Sequence, residues 1–61
     1  MSLPKDPFML LSYINTQLRD NFSSLSELVA SLGVNDEEIK NSLDGAGFVY
    51  DESLNRFVSK Q

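Results

Sequence analysis

The sequence contains no histidine, no cysteine and no tryptophan. Without cysteine there is no disulfide framework, no thiol nucleophile and no zinc ribbon. Without histidine the commonest general base and the commonest imidazole ligand are missing. A Ser-His-Asp triad cannot be assembled. Bases are scarce as well: five Lys and Arg stand against nine Asp and Glu, a net charge of −4. That balance opposes tight non-specific binding to nucleic acid, which rests on Lys and Arg neutralising phosphates. The longest unbroken apolar run is Phe8-Met9-Leu10-Leu11, far below the roughly 20 residues of a membrane span. The opening Met1-Ser2-Leu3-Pro4-Lys5-Asp6-Pro7 carries two prolines and an acid where a signal peptide needs a basic and then an apolar run. The expectation is a soluble cytoplasmic protein.

What is present is the composition of a small globule: 61 residues, 41% apolar and 23% charged, with four Phe and two Tyr. The length allows one domain, residues 1–61, and no second. A chain this short buries only about 60% of the surface it exposes when unfolded, so its stability margin is thin. There is no internal repeat, low-complexity tract or linker.

Three helices and a hairpin are expected. Asp6 caps the first helix, and Pro7 sits at the first helical position, where a missing N–H costs nothing. Stepping 100° per residue gathers Leu10, Leu11, Ile14 and Leu18 into one arc, with Ser12, Asn15 and Arg19 on the far side. The pattern runs to about Asp20, with Asn21 as a left-handed terminator. Ser24-Leu25-Ser26-Glu27 is a capping box that opens the second helix. Leu25, Leu28, Val29 and Leu32 follow at helical spacing, Gly33 ends the helix, and Val34 plugs inward. Asn35 caps the third helix, and Glu38 stands where it would complete another capping box. Ile39, Leu43 and Ala46 form its buried stripe, and Gly45 and Gly47 close it. Phe48-Val49-Tyr50 and Arg56-Phe57-Val58 are β-prone runs joined by five turn-like residues, so a hairpin is expected. Phe48 and Phe57 are the candidates for its inward face. Leu54 is out of place in an exposed tip, and Ser59-Lys60-Gln61 is expected to fray.

Two helices joined by the short turn Gly33-Val34-Asn35 form a helix-turn-helix. The expected fold is therefore mainly α: a three-helix helix-turn-helix core with a C-terminal β-hairpin, winged-helix-like. The stretch Leu3-Pro4-Lys5-Asp6-Pro7, with Met9-Leu10-Leu11-Ser12-Tyr13-Ile14-Asn15-Thr16-Gln17-Leu18-Arg19-Asp20 after it, resembles the opening of a family of short bacterial proteins known only as a domain of unknown function. The likeness extends to Tyr50-Asp51-Glu52 and Asn55-Arg56-Phe57 of the hairpin. It implies a bacterial, cytoplasmic, stand-alone small domain. It implies no activity, cofactor or site residue.

In a DNA-reading helix-turn-helix the second helix of the unit enters the major groove. Here that helix opens Asp36-Glu37-Glu38-Ile39-Lys40-Asn41. Three consecutive carboxylates would face phosphates, and Lys40 has Asp36 and Asp44 four residues to either side. Those acids serve better as helix starters that complement the dipole. Arg56 and Lys60 of the hairpin are too few to hold a duplex at cellular salt. Nucleic acid is thus disfavoured as a partner, and a nucleic-acid-binding regulator is the runner-up function.

An enzyme ranks third. Successive helical positions point about 100° apart, so Asp36, Glu37 and Glu38 cannot converge on one cation. Gly45-Ala46-Gly47 is too short for a phosphate loop and follows a helix instead of a strand. The seryl hydroxyls lack a His or a suitably spaced Lys. No catalytic, cofactor-binding or metal residue is assigned, and no cofactor is expected.

The leading function is a non-catalytic protein-interaction module, binding an unknown protein or a second copy of itself, with no membrane. The candidate contact residues are Met9, Tyr13, Thr16, Arg19, Phe22 and Tyr50. Met9 and Tyr13 lie off the core stripe, Thr16 and Arg19 belong to a polar cluster low in charge, and Tyr50 belongs to the hairpin. Tyr and Arg are enriched at binding hot spots, and Met adapts to many surfaces. For each there is a plainer role. Met9 and Tyr13 are covered if Leu3 or the hairpin folds over them, and Phe22 is either a core plug or an exposed anchor.

Overall fold

The structure is a computed structural model that describes residues 3–60. Met1 and Ser2 of the expected opening, and Gln61 of the expected frayed end, lie outside the described residues. The chain forms α1 (Pro7–Asp20), α2 (Leu25–Leu32), α3 (Asp36–Gly45), β1 (Phe48–Asp51) and β2 (Arg56–Ser59). It is mainly α, with a C-terminal antiparallel two-stranded hairpin, as the pattern predicts.

Asp6 starts α1 by accepting from the amides of Phe8, at 2.8 Å, and Met9, at 3.4 Å. Leu10, Ile14 and Leu18 are its buried positions. Asn21 does not end it in the left-handed region: its φ is −127°. Both its own N–H and that of Phe22 turn back onto the Gln17 carbonyl. Bonding to that carbonyl closes the helix without a positive φ.

Ser24 caps α2 by accepting from the Glu27 amide at 3.1 Å. The return half of the capping box is displaced by one residue. Glu27 accepts from the amide and hydroxyl of Ser23. The hydroxyl bond, at 2.8 Å, outcompetes the reach back to the cap itself. Gly33 ends α2 in the left-handed region, with φ of 68°. Asn35 caps α3 through the Glu37 amide, one residue short of capping-box geometry, so Glu38 is not its reciprocal partner. Its helix still starts with three acids at the positive end of the dipole.

One core cluster joins the elements. Leu10, Ile14 and Leu18 meet Leu25 and Leu28 of α2, Ile39 and Leu43 of α3, and Phe57 of β2. Val29, Leu32 and Val34 pack around it, half-buried. Ala46 is half-buried at the end of α3 and caps the helix, so the buried stripe proper ends at Leu43.

The hairpin pairs Phe48 with Ser59, Val49 with Val58, Tyr50 with Phe57, and Asp51 with Arg56. Because side chains alternate, this register puts Phe48, Tyr50 and Phe57 on the helix-facing side and Val49 on the outside. Tyr50 thus joins Phe48 and Phe57 as an inward residue, contrary to the expected outward contact. The connecting loop is residues 52–55, shorter by one than expected because Asp51 pairs in the ladder. Ser59 and Lys60 are not frayed. Ser59 pairs with Phe48, and the Lys60 amide donates to the Gly47 carbonyl at 3.0 Å. The radius of gyration is 10.4 Å, against about 10.5 Å for a compact chain of this length. The hairpin therefore lies on the helices and does not protrude as an arm.

Candidate functional site

Two asparagines fasten the hairpin to α1. The Asn15 side-chain amide behaves like a strand neighbour of Phe57. Its Nδ2 donates to the Phe57 carbonyl at 3.1 Å, and its Oδ1 accepts from the Phe57 amide at 2.8 Å. Asn15 had been expected on the solvent side of α1, and it is half-buried. Asn55, with φ of 52°, sends Nδ2 to the carbonyls of Leu18 and Phe22 at the end of α1. Its Oδ1 accepts from the Tyr50 hydroxyl at 2.6 Å, and that hydroxyl accepts from the Leu25 amide at 3.2 Å. One polar chain thus ties the hairpin loop to the start of α2.

The six candidate residues divide accordingly. Tyr50 is held inside by this network and by the Phe57 ring, with centroids 5.4 Å apart. Phe22 is half-buried against the core, the plug of its two possible roles. Tyr13 is half-buried and packs against the core too. Met9 is 62% exposed, and Thr16 and Arg19 are exposed. The structure therefore brings Met9, Thr16 and Arg19 to one exposed arc of α1, and separates them from Tyr50.

Phe8 completes that arc. It is 63% exposed, with its ring edge-on to Phe48 at 6.1 Å. The helical wheel that placed the core stripe also puts Phe8 opposite Leu10 and Ile14, so this residue was readable from spacing alone. The exposed arc of α1 comprises Phe8, Met9, Ser12, Thr16, Arg19 and Asp20. Its two charges cancel. Arg19 Nε and an η nitrogen fork onto the Asp20 carboxylate at 2.8 and 3.0 Å. That hydrogen bond holds the Asp20 carboxyl below its ordinary range and raises the Arg19 guanidinium.

Beside this arc runs a groove of about 580 Å³ between α1 and the hairpin loop. Ser12, Thr16 and Arg19 form one wall, and Leu54 and Arg56 the other. No Asp or Glu lines it. Leu54, at 58% exposure, is an apolar side chain on its rim. The face of α3 differs in charge. Lys40 pairs with Asp36 at 3.6 Å, and Lys60 pairs with Asp44. A second groove of about 460 Å³, between α3 and the hairpin, has Lys40 with Asp44 and Glu52 around Phe48.

At the hairpin tip, Asp51 Oδ1 accepts from the Ser53 hydroxyl at 2.6 Å, the Ser53 amide at 2.9 Å and the Leu54 amide at 3.3 Å. The Ser53 hydroxyl chiefly holds its carboxyl below the ordinary range, with smaller help from the two amides and from Arg56. This is a turn-forming carboxylate. Among the described residues no three His, Cys, Asp or Glu side chains gather to hold a metal ion. No helix there is long and apolar enough to cross a membrane.

No curated protein and no solved structure matches the chain. A family model does, over residues 4–57, a span that holds α1 through the first half of β2 and with them both asparagine clasps and the groove. The chain belongs to the family described as a domain of unknown function, DUF4250.

Proposed function

We propose that this domain is a non-catalytic protein-interaction module that uses the exposed arc of α1. One observation carries the reading. In a chain of net charge −4, the solvent face of its longest helix has no net charge and bears two large apolar side chains, Phe8 and Met9, each more than 60% exposed. Solvated helix faces are ordinarily covered with charge, and adjacent exposed apolar residues rimmed by polar ones are characteristic of contact surfaces. Met9 supplies an adaptable thioether, and Phe8 a ring already steadied by Phe48. The absence of His and Cys from the whole chain supports a role without catalysis. The cytoplasmic, bacterial setting implied by the family likeness belongs to the same proposal.

Nucleic-acid binding through α3 is the weaker reading. Its exposed face presents Glu37, Glu38 and Asp44, and the one lysine there is paired with Asp36. The winged-helix likeness of the helix order would be its only support.

The experiment is affinity capture with the partner identified, repeated with the double variant Phe8→Ser/Met9→Ser and with Glu38→Ser. The α1 variant is expected to lose the complex and the α3 variant to keep it, both with dispersed amide spectra. Equal capture by the α1 variant and the unaltered chain overturns the reading.

A further inference from the structure

The five bases of the chain are not equivalent. Lys40, Lys60 and Arg19 each have a carboxylate in contact. Arg56 is different. Among the described residues no carboxylate lies within salt-bridge distance of it, although Asp51, its partner across the ladder, feels its charge. Asp51 Oδ1 accepts instead from Ser53 and Leu54 in the turn. The Arg56 guanidinium lines the groove without being forked onto an acid. Across that groove Arg19 is forked onto Asp20, so that pair is neutral. Ser12 and Thr16 add hydroxyls, and Leu54 adds an exposed apolar edge. In a molecule of net charge −4, this concavity has no acid in its lining and holds one guanidinium, that of Arg56, without a salt bridge.

We infer that this groove takes an acidic peptide segment of the partner protein, with one carboxylate on Arg56 and a neighbouring aliphatic side chain on Leu54. The inference rests on the interaction reading above and names the chemistry of its partner. Charge complementarity selects the occupant. A guanidinium presents two parallel N–H donors that match one carboxylate. The groove lies along the exposed arc of α1, so a segment seated in it would continue onto Thr16 and toward Met9. A second copy of this chain is the other candidate occupant, and concentrating the chain alone separates the two.

The test is an amide NMR titration of the full chain with a blocked five-residue peptide alternating glutamate and leucine. Shifts are expected at residues 12–19 and 54–56, with a Kd of about 1 mM or tighter, weakening as salt is raised. Arg56→Gln should weaken binding about tenfold, and Arg56→Lys by less, because it keeps the charge and loses the fork. The same peptide with glutamine for glutamate should leave these amides unmoved. The inference is overturned by silence at about ten times that concentration, by shifts elsewhere, or by equal binding of the glutamine peptide. It is overturned too if inorganic phosphate binds as well, which makes the groove a general anion site. The same amides shifting when the chain alone is concentrated would make a second copy the occupant, and that also overturns it. Peptide failure while Phe8→Ser/Met9→Ser still loses the captured complex removes only the acidic chemistry. Loss of both results removes the interaction reading as well.

Discussion

Asn15 and Tyr50 show how single side chains set this fold. The Asn15 amide supplies both halves of a peptide-like pairing to Phe57. Asn15→Ala would leave a part-buried N–H and C=O without those partners. The expected loss is about 2 kcal/mol, which for a domain this small lowers Tm by on the order of 10 °C. Tyr50→Phe removes one hydroxyl that serves Leu25 and Asn55 and should cost about 1 kcal/mol. Urea unfolding with unchanged slope checks both. Neither role was legible in the sequence. Periodicity assigns a side chain to a face, and Asn15 falls on the polar side by that rule. Its partner lies 42 residues away, and no local pattern encodes that contact. Phe8 is the opposite case. The wheel already placed it away from the core, and only its position beside a proline at the helix start disguised a solvent-facing ring.

At the scale of elements, the ends of the helices were readable wherever one residue decides the geometry. Ser24 and Gly33 bound α2 as expected, since a cap oxygen and a left-handed φ have local signatures. Where several acceptors compete, as at Asn21, Glu27 and Asn35, the sequence did not say which would win. Gly33 and Gly45 provide a paired check. At Gly33 a Cβ meets nothing within 4 Å, but the φ of 68° is strained for any L side chain, so Gly33→Ala should cost about 1 kcal/mol. Gly45 is the last residue of α3, without a positive φ and with open space around it, so Gly45→Ala should stabilise by about 0.5 kcal/mol. Opposite shifts in thermal unfolding are the expected outcome. The hairpin tip has its own signature in pH. The ionised Asp51 carboxylate accepts the turn's hydrogen bonds, so the folded state binds its proton less readily than the unfolded chain. That stabilisation is present at neutral pH and fades as pH falls through the carboxylate range, below about 4. Asp51→Asn should flatten that part of the decline in Tm with acidity. An unchanged profile would show that Asp51 does not contribute to it.

The whole molecule segregates its charge. Acids gather on α3, where they complement the dipole and engage Lys40 and Lys60. The α1 side is left neutral along the helix, and the groove beside it has no acid in its lining. The order of three helices and a hairpin was legible because each element has a strong local period, and the core stripe followed from it. The candidate site was legible in part. Met9, Thr16 and Arg19 lie together on the exposed arc, whereas Tyr13, Phe22 and Tyr50 were absorbed into packing. Aromatic residues serve cores and contacts equally well, and only the tertiary position of the hairpin separates the two uses.

The most direct measurement of the central claim is site-specific photo-crosslinking in the cell, with the reactive residue at position 9 on α1 and, separately, at position 38 on α3. Position 9 is expected to give one discrete adduct with a single protein, and position 38 is expected to give none. No adduct from position 9, or the same products from both positions, would contradict a contact surface on α1.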